Sequence, residues 1–427
     1  MKFIVNRTKY INACLFLVFF GVLSIIHFNY IIRFDNFNNV SYYRNITFYF
    51  HSGRYFIASL FIILNVLFLL TARLSGFMYS IMNLILFFFV VPAGLVFASS
   101  SEVLPSIFLY HNIFFYTTYL FSKIKWNFNS PTLKFHQSGP VLLTITVIGI
   151  IPFIVEYAPY INLKNLLLID VYETRTLVSQ NIKNTYTAYT YSWFSRMILP
   201  IIIVLSIYFG NRKNLILSVL LLLFLYLCGA HKMVFIGLIF VLIFYKYDYL
   251  EKTRYFLLVM TGFICISLLA TLFFDFTYLW DVSFRRVLIL TALLDYCYFD
   301  FFTYNEPLYW SHSFLSTFVD YKYDVLPEYV ISEVYFNKPD VNANVGIISD
   351  GFKNLRTWGI LISIILTSLY FSILNSLNIS PKFFGLFVLL VFSFLNGALS
   401  TILLTHGGIL LLLLAIFVLQ NTKQRMD

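Results

Sequence analysis

Tyr255–Phe276 reads YFLLVMTGFICISLLATLFFDF, with one charged residue, Asp275, near its end. About twenty apolar residues wound as a helix span the hydrocarbon core of a bilayer, whereas a barrel strand needs only about 9–11 with strict alternation. The stretch has helix length and no alternation, so it predicts a membrane-spanning helix. Lipid offers backbone N–H and C=O groups no partner, and a helix satisfies its own.

Reading outward at about twenty apolar residues per span gives helices at 11–32, 55–72, 76–98, 104–122, 139–157, 191–210, 214–230, 233–247, 255–276, 358–377, 383–400 and 404–420. The expected fold is therefore all-α, a single polytopic membrane domain over 1–427 with about twelve transmembrane helices. Composition agrees. Hydrophobic residues make up 60% of the 427 and charged residues 11%, where a globular domain carries about 25% charged. A soluble fold of this length could not cover that much apolar surface. No small-residue cleavage site follows the first apolar run, which is expected to remain as a helix.

The net charge of +10 is read as basic residues flanking the spans, not as a nucleic-acid surface. With the N-terminus inside, the cytoplasmic connections hold Arg73, Lys123, Lys125, Lys134, Arg212, Lys213, Lys246, Lys252, Arg254, Lys382, Lys423 and Arg425. Arg33, Arg44 and Arg54 run against this bias, but the remainder predicts both termini in the cytoplasm. Two long polar stretches, 158–190 and 277–357, then become extracytoplasmic loops, and long loops usually carry function. Cys14, Cys228 and Cys265 lie in apolar runs, and no cysteine pair has metal or redox spacing. No Walker, dinucleotide-binding or HExxH motif is present. Neither a cofactor nor a metal is expected.

The second loop carries Arg285-Arg286, whose guanidinium forks match phosphate oxygens; the plainer alternative is snorkelling to lipid headgroups. His312, in Tyr309-Trp310-Ser311-His312, could take a proton from an attacking hydroxyl or be a structural hydrogen-bonder. Asp340–Arg356 packs amides, carboxylates and glycines. Asn342, Asn344 and Asn354 suit sugar hydroxyls, and Asp350 suits a base, against the plainer reading of a capping turn. In the first loop Arg175 could bind phosphate or pair locally with Asp170 or Glu173. Arg196 lies a few residues into its span. His231-Lys232 sit at a turn between spans, where a cation usually marks a ligand path.

Taken together, Gly229-Ala230-His231-Lys232, Arg285-Arg286 and Asn342–Leu355 followed by Gly359 resemble the Wzy-type O-antigen and capsule repeat-unit polymerases. The resemblance implies a metal-independent glycosyltransferase at the outer face of the bacterial inner membrane. Such an enzyme moves a growing glycan from undecaprenyl pyrophosphate onto the next lipid-linked repeat unit. It implies arginines in outer loops holding pyrophosphate, which points to Arg175, Arg285 and Arg286, with Lys232 beside them. Related O-antigen ligases use an outer-loop histidine, matched by region in His312. A flippase and a chain-length regulator are the implied protein partners, with membrane lipid around the chain and no nucleic acid. The alternative is a lipid-linked oligosaccharide flippase or other transporter, which would usually show related halves and charges within spans.

Overall fold

The computed structural model describes residues 2–34, 48–100, 102–128, 135–167, 170–313 and 315–420. Arg44, Lys134, Lys423 and Arg425, used above for orientation, lie outside them. Every regular element among the described residues is helical. In chain order α1 is Lys2–Phe34, α2 Ser52–Thr71, α3 Gly76–Ala98, α4 Pro105–Phe121 and α5 Phe135–Tyr157. Next come α6 Val171–Asn181, α7 Thr185–Tyr208, α8 Arg212–Gly229, α9 Lys232–Ile243 and α10 Tyr249–Phe274. The last five are α11 Tyr278–Tyr304, α12 Pro327–Phe336, α13 Ile347–Ser376, α14 Pro381–Asn396 and α15 Leu399–Leu419.

Ten helices among the described residues are long and apolar enough to cross a membrane, against the twelve expected. This is the make-up of a multi-pass membrane protein. The expected span 104–122 is the 17-residue α4, and those at 233–247 and 383–400 are the shorter apolar helices Val234–Ile243 and Pro381–Asn396. One long helix was not expected: α11 lies inside 277–357, which the sequence reading took as a loop. Asp281 and Arg285 gave that stretch its loop-like look, yet they stand one helical turn apart and pair, with Nε 2.6 Å from Oδ1. The stretch 158–190 likewise holds α6 and the first turns of α7.

The chain divides into two compact units. The first comprises residues 1–124, 248–372 and 391–399. Its centre is α3, buried from Phe77 to Ala98, with α2, α4, α10 and α11 packed on it. A helix apolar on every side is the kind that tolerates such enclosure. Aromatic rings fill this core: Phe19 stacks on Phe87 at 4.6 Å between centroids, and Phe89 meets Phe114 edge-on at 5.3 Å.

The second unit comprises 125–247, 373–390 and 400–427. Its centre is α7, whose Leu199–Ser206 segment is wholly buried against α5, α8 and α9. Both central helices carry a π-helical turn, at Leu86–Val90 and at Trp193–Ile198. Each turn ends two residues before a proline, Pro92 and Pro200. A proline ring clashes with the carbonyl four residues back, and a wider turn relieves that clash. The consequence for function is local: Arg196 rides on the widened turn.

Candidate functional sites

In the first unit the chain reverses inside α13. Leu355 has φ −139° and ψ 24°, and Arg356 has φ 54° and ψ −139°. Residues eight apart in a straight helix are separated by about 12 Å. Here Gly351 and Gly359 lie backbone to backbone: a Cβ on Gly351 would stand 2.5 Å from the Gly359 carbonyl oxygen. Only two residues without side chains permit this approach. The corner turns Ile347–Asn354 into a short buried arm.

That arm carries a ladder of charges. Ser349 Oγ donates to Asp295 Oδ1 on α11, and Asp295 Oδ2 lies 3.1 Å from His111 Nε2 on α4, out of hydrogen-bond alignment. Lys353, wholly buried, donates from Nζ to Glu328 on α12 at 2.9 Å and lies 3.5 Å from Asp350 Oδ1. Burial works against the Glu328 charge, but the charge and hydrogen bond of Lys353 overcome it and hold the carboxyl below its ordinary range. Asp350 is 2% exposed, and both its oxygens are engaged. Asn354 Nδ2 donates to Oδ1 at 3.2 Å, and the Leu399 N–H donates to Oδ2 at 3.1 Å. Each Asp350 oxygen thus accepts a hydrogen bond from within the chain, which holds the carboxylate of this candidate base in place.

Asn354 is likewise turned inward. Its Oδ1 accepts from the Trp310 N–H at 2.8 Å, and its carbonyl accepts from Tyr309 N–H at 3.2 Å. Tyr309 and Trp310 are both left-handed, with φ 52° and 56°. These bonds, with Arg356 Nη2 on the Asn305 carbonyl at 2.7 Å, dock the loop that bears His312. His312 is half-buried and its Nδ1 has no partner. Burial, helped by the charge of Lys353 and opposed by Glu328, lowers its pKa to about 4. It is neutral at pH 7 and able to accept a proton. Asn342 and Asn344 are exposed, as is Arg286, while Arg285 is half-exposed and spends its charge on Asp281.

The second unit holds a different kind of cluster. Arg175, on α6, donates from Nε and Nη2 to the Ala230 carbonyl at 3.1 and 2.8 Å. Ala230 is left-handed (φ 49°) and ends α8, so its carbonyl is one that the helix leaves open. The alternative of a local pair with Asp170 or Glu173 is not formed among the described residues; Asp170 lies 3.7 Å from Lys164. Arg175 therefore reaches the Gly229–Lys232 turn. The backbone of Lys232 opens α9, and its side chain lies outside the described residues.

Three further side chains act on one another here. His231 meets Tyr191 edge-on at 5.3 Å. Arg196, on the widened turn of α7, has a buried Nε with no partner. His406 has a buried Nδ1 with no partner and sits where α15 is interrupted, between Leu403 and Gly408. The interruption is held by Trp193 Nε1 donating to the Leu404 carbonyl at 2.8 Å and by Gly407 at φ 84°. Burial first, then the charges of Arg175, Arg196 and His406, lower the His231 pKa to about 4. Among the described residues no Asp or Glu forms an ion pair with Arg175 or Arg196. Sequence reading noted Arg196 and His231 without assigning them and passed over His406. Its signal was His406-Gly407-Gly408, a polar and flexible break in an apolar run.

The chain belongs by fold to the class of multi-pass helical membrane proteins, with one polar cluster in which a buried lysine lies beside carboxylates and one whose arginines form no ion pair among the described residues. No family model, curated protein or solved structure matches it.

Proposed function

We propose that the chain is a membrane glycosyltransferase that polymerises undecaprenyl-pyrophosphate-linked repeat units into O-antigen or capsular polysaccharide at the outer face of the bacterial inner membrane. The observation that carries this reading is the pair of guanidinium groups, Arg175 and Arg196, grouped with His231 and His406, with which no Asp or Glu forms an ion pair among the described residues. A lipid diphosphate leaving group develops negative charge in the transition state, and preorganised cations in a dry setting stabilise it. The donor is already activated, so the reaction calls for neither nucleotide nor metal. An acceptor hydroxyl needs a base; of the two sequence candidates, His312 has an unpartnered nitrogen and Asp350 has both oxygens engaged.

The experiment is deletion of the gene followed by gel analysis of the surface glycan. The expected result is a ladder that collapses to one repeat unit and returns with the wild-type copy. The transporter alternative draws on one feature, the interrupted α15, since broken spans often line substrate sites. The side on which repeat units stall separates the two: outside for a lost polymerase, inside for a lost flippase. A normal ladder in the deletion strain excludes the polymerase reading.

A further inference from the structure

An imidazole buried beside guanidinium groups is kept neutral, because a further positive charge there is poorly solvated and repelled. An anion entering the same space cancels the repulsion, and the imidazole then gains affinity for a proton. Anion binding and proton uptake become one event.

The second unit has the parts for this. His231 is acted on by Arg175 from α6, by Arg196 from α7 and by His406 from the break in α15, and no carboxylate is among the groups acting on it. Tyr191 packs on its ring, but the Tyr191 hydroxyl is committed to the Leu225 carbonyl at 2.9 Å. From α8, Cys228 is a buried thiol, and Tyr226 donates its hydroxyl to the Asn165 carbonyl at 2.7 Å. None of these supplies a negative charge. Two buried nitrogens, Arg196 Nε and His406 Nδ1, have no hydrogen-bond partner among the described residues. Buried nitrogen without a partner costs free energy, and these two are left able to bond to an arriving acceptor. The interrupted span says the same: irregular backbone at this depth is tolerated where it is enclosed by protein or lines a cavity.

We propose that Arg196, His231 and His406, together with Arg175, bind a phosphate-bearing ligand and that its arrival places a proton on the imidazoles. The anion part rests on this cluster alone; only the lipid on which the phosphate is carried rests on the polymerase reading. No covalent bond changes, and the proton comes from solvent. In the free protein His231 titrates near 4 and is neutral at pH 7. In the complex its pKa is raised. Affinity therefore climbs as pH falls through the bound-state value, and levels off near the free-state value of about 4.

Full-length protein in zwitterionic lipid nanodiscs is titrated calorimetrically with inorganic pyrophosphate at pH 7, in two buffers of unlike ionisation enthalpy. The expected result is saturable binding whose heat differs between buffers by net proton uptake. His231→Gln with His406→Gln weakens binding and loses the uptake and the pH slope. Arg196→Gln weakens binding by about tenfold or more, and Arg196→Lys recovers part of it. Unchanged melting temperatures keep these readings separate from misfolding. Equal heats in both buffers, uptake that persists in the double variant, or no pyrophosphate binding would each overturn the proposal. Nanodiscs carrying a polyprenyl diphosphate identify the source. Displacement of the inorganic probe marks a lipid ligand. Failure to displace it leaves the anion site standing and removes the donor from the polymerase reading. Displacement by phosphatidylglycerol counts against the site as a selective one.

Discussion

The two polar clusters differ in whether their charges are balanced. In the arm Ile347–Asn354, Lys353 meets Glu328 and Asp350, and the remaining acceptors of Asp350 are taken by Asn354 and the Leu399 N–H. Among the described residues, His111 beside Asp295 keeps unpartnered ring nitrogens, and in the other unit Arg196 and His406 keep unpartnered nitrogens with no Asp or Glu in an ion pair with Arg196. The first arrangement helps to hold a fold together, because its buried cation lies beside carboxylates whose oxygens also accept hydrogen bonds within the chain. The second holds a fold together poorly and is suited to a ligand. Burial alone does not mark a functional charge; burial without compensation does.

The comparison breaks most readily at Lys353. Lys353→Met leaves Glu328 and Asp350 without their cation, and the expected loss is about 3–5 kcal/mol of stability, read as a fall in melting temperature and in membrane-inserted yield. The matching change in the other cluster, Arg196→Gln, removes an unpaired buried charge and is expected to leave the melting temperature level or higher while glycan polymer is lost. If Arg196→Gln melts as early as Lys353→Met, the contrast between the clusters is wrong. A middling effect is expected from Gly359→Leu. The new side chain collides with the backbone of Gly351, and about 1–3 kcal/mol follows from overpacking the corner. Leucine at Gly262, where an added Cβ meets nothing within 4 Å, serves as the neutral control in the same assay. The smallest effect belongs to Arg285→Ala. Its partner Asp281 is one turn away and partly exposed, so the pair contributes about 0.3–0.5 kcal/mol. Polymer length at wild-type level in this variant sharpens the comparison; its loss would move the diphosphate site to α11.

Several sequence expectations survive because they depend on local pattern. Nine of the ten long apolar helices fall where twenty-residue windows put them, since a hydrophobic run declares itself to its immediate neighbours. The helix at 278–304 was hidden because an internally neutralised pair looks, one residue at a time, like loop chemistry. Asn354 was a candidate sugar ligand and Asp350 a candidate base, and their hydrogen bonds within the chain were not legible because an amide or carboxylate suits a substrate as well as it suits a backbone N–H.

By itself the sequence established an all-helical chain with the apolar lengths of a multi-pass membrane protein, along with the polar segments that carry its chemistry. Tertiary structure decided which charges are offset and which wait. The reason is sequence separation: Lys353 finds Glu328 25 residues away, the Leu399 N–H finds Asp350 at 49, and Trp193 reaches the break at Leu404 across 211. No window of neighbouring residues contains such a partnership, so whether a buried ion is satisfied becomes visible only once the chain has closed on itself.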